Sequence, residues 1–273
     1  MRFISFLHDA ADEKGGEKPL NTPRISIKFE NVQFQYRKDT PLVLNNISFE
    51  LHAGEKLALI GENGAGKSTI IRLMTGLERP TSGKIKINGI DMNELDFSQY
   101  RQCISLVAQD FCRYYLPIRY NIGLSDYGRM NHDEELYAAS LKGGAYEFVS
   151  GFSERLDQLL GTQYHNGVEL SGGQWQKLSI SRGYFKQGSF LIMDEPTSAL
   201  DAVAEERVYN QFVGLSGAST AVFVSHRMAS AQLADKIACI KDGQIVEFGS
   251  HDELMAKGGY YARLYLQQAE LYK

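Results

Sequence analysis

The run Gly61-Glu62-Asn63-Gly64-Ala65-Gly66-Lys67-Ser68-Thr69 places two glycines, a lysine and a hydroxyl at the spacing G-x-x-x-x-G-K-[ST]. Glycines let a backbone fold closely around phosphate oxygens, with successive N–H groups pointing inward. A helix start just after them adds its partial positive charge. In that setting Lys67 is expected to reach β- and γ-phosphates and Ser68 to ligate Mg²⁺. A second group of chemistry-bearing residues ends the apolar run Phe190-Leu191-Ile192-Met193. There Asp194 and Glu195 stand at a strand's carboxyl edge, where α/β sheets place ligand chemistry. Asp194 can hold Mg²⁺ through water. Glu195 can face an attacking water and act as general base.

Three other polar or aromatic residues fit the same chemistry. Gln109 follows a strand, and its amide can contact Mg²⁺ and the attacking water. His226 follows the apolar run Ala221-Val222-Phe223-Val224, and a neutral imidazole there can sense a γ-phosphate. Tyr36 lies upstream of the phosphate loop and can stack on adenine. The run Leu170-Ser171-Gly172-Gly173-Gln174 precedes a helix and makes a second anion-binding N-terminus. One nucleoside triphosphate does not need two such cradles from one chain. Two chains placed head to tail would bring each second cradle onto the partner's nucleotide.

The elements needed to position these residues are legible around them. Lys56–Ile60 reads as a buried strand and residues 68–74 as a helix ending near Gly76, which is the strand–loop–helix context the phosphate motif requires. Residues 25–51 alternate apolar and polar, as half-buried antiparallel strands do. Asn88-Gly89 within 84–90 and Asp242-Gly243 within 237–247 are hairpin turn signals. Residues 104–108 form another apolar strand. From Gln109 to Gln174 the pattern turns helical, with candidate helices at 132–142, 145–150 and 153–160. A helix at 174–187 follows, then two buried parallel strands flanking a helix at 202–214. The final helix, 259–272, is expected to bury Tyr261, Leu264, Tyr265 and Leu271. The fold class is therefore α/β: a P-loop NTPase core, an antiparallel β subdomain and an inserted α-helical subdomain at about 109–174.

The chain has 273 residues, a net charge of −4 and three cysteines. No basic stripe supports binding to nucleic acid. Cys103, Cys112 and Cys239 form no C-x-x-C pair and read as reduced thiols filling small core positions. No apolar run approaches the ~20 residues of a membrane span. Residues 1–7 are too short for a signal peptide. Residues 9–23 are polar, with Gly15-Gly16 and two prolines, and read as a linker.

From about residue 25 onward the chain resembles the nucleotide-binding domain of an ATP-binding-cassette transporter. The parts come in that family's order: Tyr36, the loop 61–69, Gln109, the signature 170–174, Asp194-Glu195, Ser198-Ala199-Leu200-Asp201 and His226. The resemblance implies ATP and Mg²⁺ as ligands and ATP hydrolysis as the activity. It also implies a head-to-tail homodimer that closes on ATP, with Asp201 communicating across it. The segments 80–83, 248–254 and 260–265 resemble those of exporters. Residues 109–121 and Trp175 are similar to bacterial exporters of peptides such as lantibiotics. The stretch Phe3–Leu7 resembles the link from an exporter's last membrane helix. Residues 1–24 are accordingly expected to be a linker from a transmembrane domain, which contacts the ATPase domain 25–273 near 109–121 at the cytoplasmic face of the membrane. The segment Thr162-Gln163-Tyr164-His165-Asn166-Gly167 departs from the Gly-Glu-Arg-Gly run of many exporters. The alternative, a soluble cassette ATPase acting on ribosomes or DNA, would resemble relatives with two cassettes or a long coiled coil. This chain has one cassette and no heptad run.

Overall fold

A computed structural model describes residues 16–20, 22, 24–195, 202–225 and 227–270. The expectations for residues 1–15, Ser198 to Asp201, His226 and Leu271 lie outside the described residues.

Strands β1 (Ile27–Phe34) and β2 (Leu44–Leu51) alternate buried and exposed positions and pair antiparallel. Phe29 stands opposite Phe49, and their rings stack at 4.6 Å. The next strand, β3 (Lys56–Gly61), is a buried apolar run that leads through the phosphate loop into helix α1 (Lys67–Met74). Gly76 ends α1 at φ 69°, and a Cβ there would lie 2.0 Å from the Phe97 ring, so only glycine fits. Strands β4 (Ser82–Ile87) and β5 (Ile90–Asp91) make the first hairpin. Its turn residues Asn88 and Gly89 have φ of 50° and 79°, both left-handed as a type I′ turn demands. These strands complete an antiparallel sheet in the order β2-β1-β4-β5.

Helix α2 (Phe97–Cys103), capped by the Asp96 side chain, feeds strand β6 (Ile104–Val107). The chain then leaves the sheet for helices α3 (Ile118–Gly123), α4 (Asp133–Lys142) and α5 (Tyr146–Gly151). No helix forms at 153–160. A single 3₁₀ turn spans Arg155–Asp157, and Arg155 sits at φ 49°. Leu159 and Leu160 instead bridge to Pro117 and Val168. The apolar spacing there serves tertiary pairing: Arg119 binds Asp157 and Asp133, each at 2.7 Å, and Gln158 O accepts from Ile118 N–H.

The chain returns through helix α6 (Gly172–Lys186), strand β7 (Phe190–Asp194), helix α7 (Ala202–Ser216), strand β8 (Thr220–Val224) and the one-turn helix α8 (Met228–Ala231). The second hairpin, β9 (Lys236–Lys241) with β10 (Gln244–Gly249), turns at Asp242-Gly243. Helices α9 (His251–Lys257) and α10 (Tyr260–Glu270) close the described chain. The six-stranded sheet runs β10-β9-β3-β8-β7-β6, parallel except for the β10–β9 pair. That order decides where the chemistry goes. The strands β3, β8, β7 and β6 end side by side, and the loops after them carry Lys67, Ser225, Asp194-Glu195 and Gln109.

Three apolar clusters hold the layers. One joins the antiparallel sheet and α1 to one face of the parallel sheet, and a second covers the other face with α8 and α10. The third lies among the helices between β6 and β7, around Ile118, Leu136, Val149, Trp175 and Leu178. Part of the polar segment ahead of β1 is seated on the domain. Lys18 N–H donates to Glu94 O and Lys18 O accepts from Asp96 N–H, at 2.9 and 2.8 Å.

Candidate active site

The phosphate loop leaves β3 at Gly61. Its φ is 154° and a Cβ there would lie 2.2 Å from Ile240 O, so the loop can pack this closely on β9 only with glycine. The loop ends at Gly66, the N-cap of α1, with φ 106° and no side-chain cap bond. The first N–H groups of α1 therefore face the cleft with no cap side chain bonded to them. Lys67 is only 5% exposed. Its Nζ donates to Gly61 O at 2.9 Å and Glu62 O at 3.0 Å, and stands 3.8 Å from Glu195 Oε1. Burial pulls the ammonium pKa down, against the opposing charges of Glu195 and Asp194.

Asp194 ends β7 with its carboxylate 3.4 Å from Ser68 Oγ. Burial, then the neighbouring charge of Glu195, pushes its carboxyl up to about 6. Glu195 turns the chain sharply, at φ 42°, a left-handed conformation that costs a non-glycine residue roughly 1–2 kcal/mol. The conformation brings Glu195 beside Lys67 on the wall of a cleft of about 420 Å³.

That cleft is lined by Asn63, Gly64, Gly66, Lys67, Ser68 and Thr69 together with Gln109 and Glu195. The topology thus unites the loop, the glutamine and the acidic strand end from three separate strands. Gly61, Glu62 and Ala65 do not line it: Glu62 lends its carbonyl to Lys67 and Ala65 packs into the core. Tyr36 lies two residues past the end of β1 and is 49% exposed. Its hydroxyl lies 3.1 Å from Thr69 Oγ1 and its ring meets Phe34 edge-on at 4.9 Å. The aromatic is thereby tied to the phosphate loop. Val43, just ahead of β2, also lines the cleft and was not singled out from the sequence. One apolar residue before a strand carries no distinguishing pattern.

The second cradle lies elsewhere. Ser171 caps α6 in a reciprocal box: its hydroxyl accepts from Gln174 N–H at 3.3 Å, and Gln174 Oε1 accepts from Ser171 N–H at 2.9 Å. Space beside Gly172 and Gly173 is open, with nothing within 4 Å of a Cβ placed on either. None of Ser171, Gly172, Gly173 or Gln174 lines the cleft that holds Lys67.

A family model described as ABC transporter matches residues 44–198, a span that contains the loop, the glutamine, the second cradle and the acidic pair. The chain belongs to the ABC transporter family. This ABC chain is 38% identical over 251 residues to the subtilin transport ATP-binding protein SpaT of Bacillus subtilis, covering 92% of the chain and 41% of that protein. It is also 38% identical over 243 residues to the nisin transport ATP-binding protein NisT of Lactococcus lactis subsp. lactis, covering 89% of the chain and 40% of that protein. The solved structure of a bacterial Atm1-family ABC exporter with ATP bound superposes with a TM-score of 0.86 at 31% identity, over 98% of this chain and 46% of that one. The chain thus spans about two fifths of the length of these curated relatives. It is an ATP-binding and ATP-hydrolysing domain of the ABC class, similar to the domains of exporters. Among the described residues no helix is long and apolar enough to cross a membrane.

Proposed function

We propose that this ABC domain is the motor of a membrane exporter and that it works as a head-to-tail pair at the cytoplasmic face of the membrane. The carrying observation is the open helix start at Ser171-Gly172-Gly173, which lies outside the cleft of its own chain. A second copy placed head to tail would set that start over the γ-phosphate of ATP held by Lys67. Tyr36 then stacks on adenine, Lys67 binds the phosphates, Glu195 takes a proton from the attacking water, and Gln109 and His226 orient and sense the reacting groups.

The donor set suits Mg²⁺. Ser68 offers a hydroxyl 3.4 Å from the Asp194 carboxylate, a pair of hard oxygen donors of the kind Mg²⁺ takes. Ser68, Asp194 and Gln109 would hold the ion, which when bound neutralises phosphate charge.

Residues 1–24 lead from a transmembrane domain into the ATPase domain 25–273, with the helical part near 109–174 inserted. The exposed side chains Tyr114, Tyr115, Leu116 and Tyr120 suit contact with that membrane domain. The backbone of this segment is held by buried Asn121, whose Nδ2 donates to Tyr114 O at 2.8 Å, and by Arg182, whose Nε donates to Asn121 O at 2.7 Å. A peptide cargo fits the resemblance of this segment to peptide exporters, and the names of the subtilin and nisin transport proteins support it.

Mixing two inactive variants tests the pair. Lys67→Ala and Ser171→Arg chains each carry two damaged sites alone. A mixed dimer has one intact site, so mixing should restore ATP hydrolysis. No recovery at any ratio, with mixed dimers demonstrated by cross-linking and an active wild-type/Ser171→Arg dimer as control, would reject the shared site.

A further inference from the structure

The last described helix reaches back to the segment that carries His226. Four contacts fix α10. Near its start, Tyr261 N–H donates to the buried carboxylate of Glu247 at 2.8 Å, and the Tyr261 hydroxyl lies 2.7 Å from His251 Nδ1. One turn on, Gln232 Nε2 donates to the Tyr265 hydroxyl at 2.5 Å. In its last turn, Gln268 Oε1 accepts the backbone N–H of Met228 at 2.6 Å.

That last bond answers a local deficit. Met228 opens the one-turn helix α8, and first-turn N–H groups have no acceptor within their own helix. The N-cap residue, Arg227, supplies no side-chain cap bond. Gln268 brings the acceptor from 40 positions away. On the other side, buried Ser225 follows β8, and its hydroxyl accepts from Arg227 N–H at 3.0 Å. The backbone is therefore tied on both sides of position 226, by Ser225 and by Gln268.

We infer that Gln268 is a positioning residue for ATP hydrolysis: its amide oxygen holds Met228 and so braces the short segment between Ser225 and Met228 in which position 226 lies. This rests on the reading of His226 as the group that senses the γ-phosphate. Gln268 touches no substrate and acts only through the segment it holds.

The test separates placement from stability. Gln268→Glu keeps an oxygen acceptor at the same reach, whereas Gln268→Met keeps the length and removes the acceptor. The expected result is a loss of about 10²-fold in kcat for the Met variant, of the size a misplaced catalytic group produces. Its KM for ATP and its melting temperature should stay near wild type, and the Glu variant should retain wild-type kcat. His226→Ala is measured beside them, and adding Gln268→Met to it should cost nothing more. Wild-type kcat in the Met variant, with His226→Ala inactive, overturns the inference and leaves the role of His226 standing. Wild-type kcat in His226→Ala overturns that role and the inference with it. Equal losses in the Glu and Met variants overturn the acceptor assignment. Should the Met variant aggregate, Gln268→Lys repeats the test, since it also lacks an acceptor and suits a half-buried position.

Discussion

Lys67 Nζ and Glu195 Oε1 stand 3.8 Å apart across the cleft, a buried cation facing a carboxylate that is 13% exposed. The lysine is held by two loop carbonyls and this carboxylate. Phosphate oxygens must displace that arrangement when ATP enters. The proposed base and the lysine of the phosphate loop are thus electrostatically coupled.

Glu195→Gln should consequently bind ATP at least as well as the wild type, since Lys67 loses a competing anion. Turnover should fall at least ~10²-fold if Glu195 is the base. An ATP-held dimer should then persist on a sizing column. Near-normal turnover would remove Glu195 from that role.

Asp194 makes a pH-dependent prediction. Its carboxyl is raised to about 6 in the folded domain, against ~3.9 for an unperturbed aspartate. The folded state therefore binds more protons than the unfolded chain between about pH 4 and 6, and stability from this group rises as pH falls through that window. Above pH 6 the ionised carboxylate opposes folding by roughly 2–3 kcal/mol. Asp194→Asn should accordingly raise the nucleotide-free urea midpoint at pH 7.5 and change it far less at pH 4. With Mg²⁺ and ATP present the wild type should gain more than the variant. Identical midpoints at pH 7.5 would show that the carboxylate is not strained.

Tyr36 separates two contributions. Tyr36→Ala should weaken ATP binding by roughly 1–2 kcal/mol through lost stacking. Stacking alone would leave Tyr36→Phe unchanged. The 3.1 Å contact with Thr69 Oγ1 argues for a further loss of about 0.5–1 kcal/mol in the Phe variant. Calorimetric titration with ATP distinguishes the cases, and equal affinity for Tyr and Phe would make the hydroxyl contact idle.

Much of this architecture was written locally in the chain. The phosphate loop, its strand and its helix are contiguous, so motif and context could be read together. Asn88-Gly89 and Asp242-Gly243 announce their turns because each needs two left-handed residues in succession. The 153–160 segment misled because Leu156, Leu159 and Leu160 serve partners outside the segment, Pro117 and Val168 among them. The same limit hid Val43 on the cleft wall and the bond from Met228 to Gln268. Neither residue type nor spacing encodes a contact that only the sheet order creates. The seating of Lys18 on residues 94–96 was equally unreadable, because backbone atoms make it and side-chain pattern does not.

The left-handed turn at Glu195 sets function against comfort. Backbone energetics alone would favour glycine or asparagine at that position. A redesign that ranked substitutions by conformational fit would change residue 195 early and report a tougher domain; with Glu195 the base, as proposed, it would hand back one that grips ATP without cleaving it. Screens for hardier versions of this domain must therefore select on phosphate release, because thermal tolerance by itself rewards replacing Glu195.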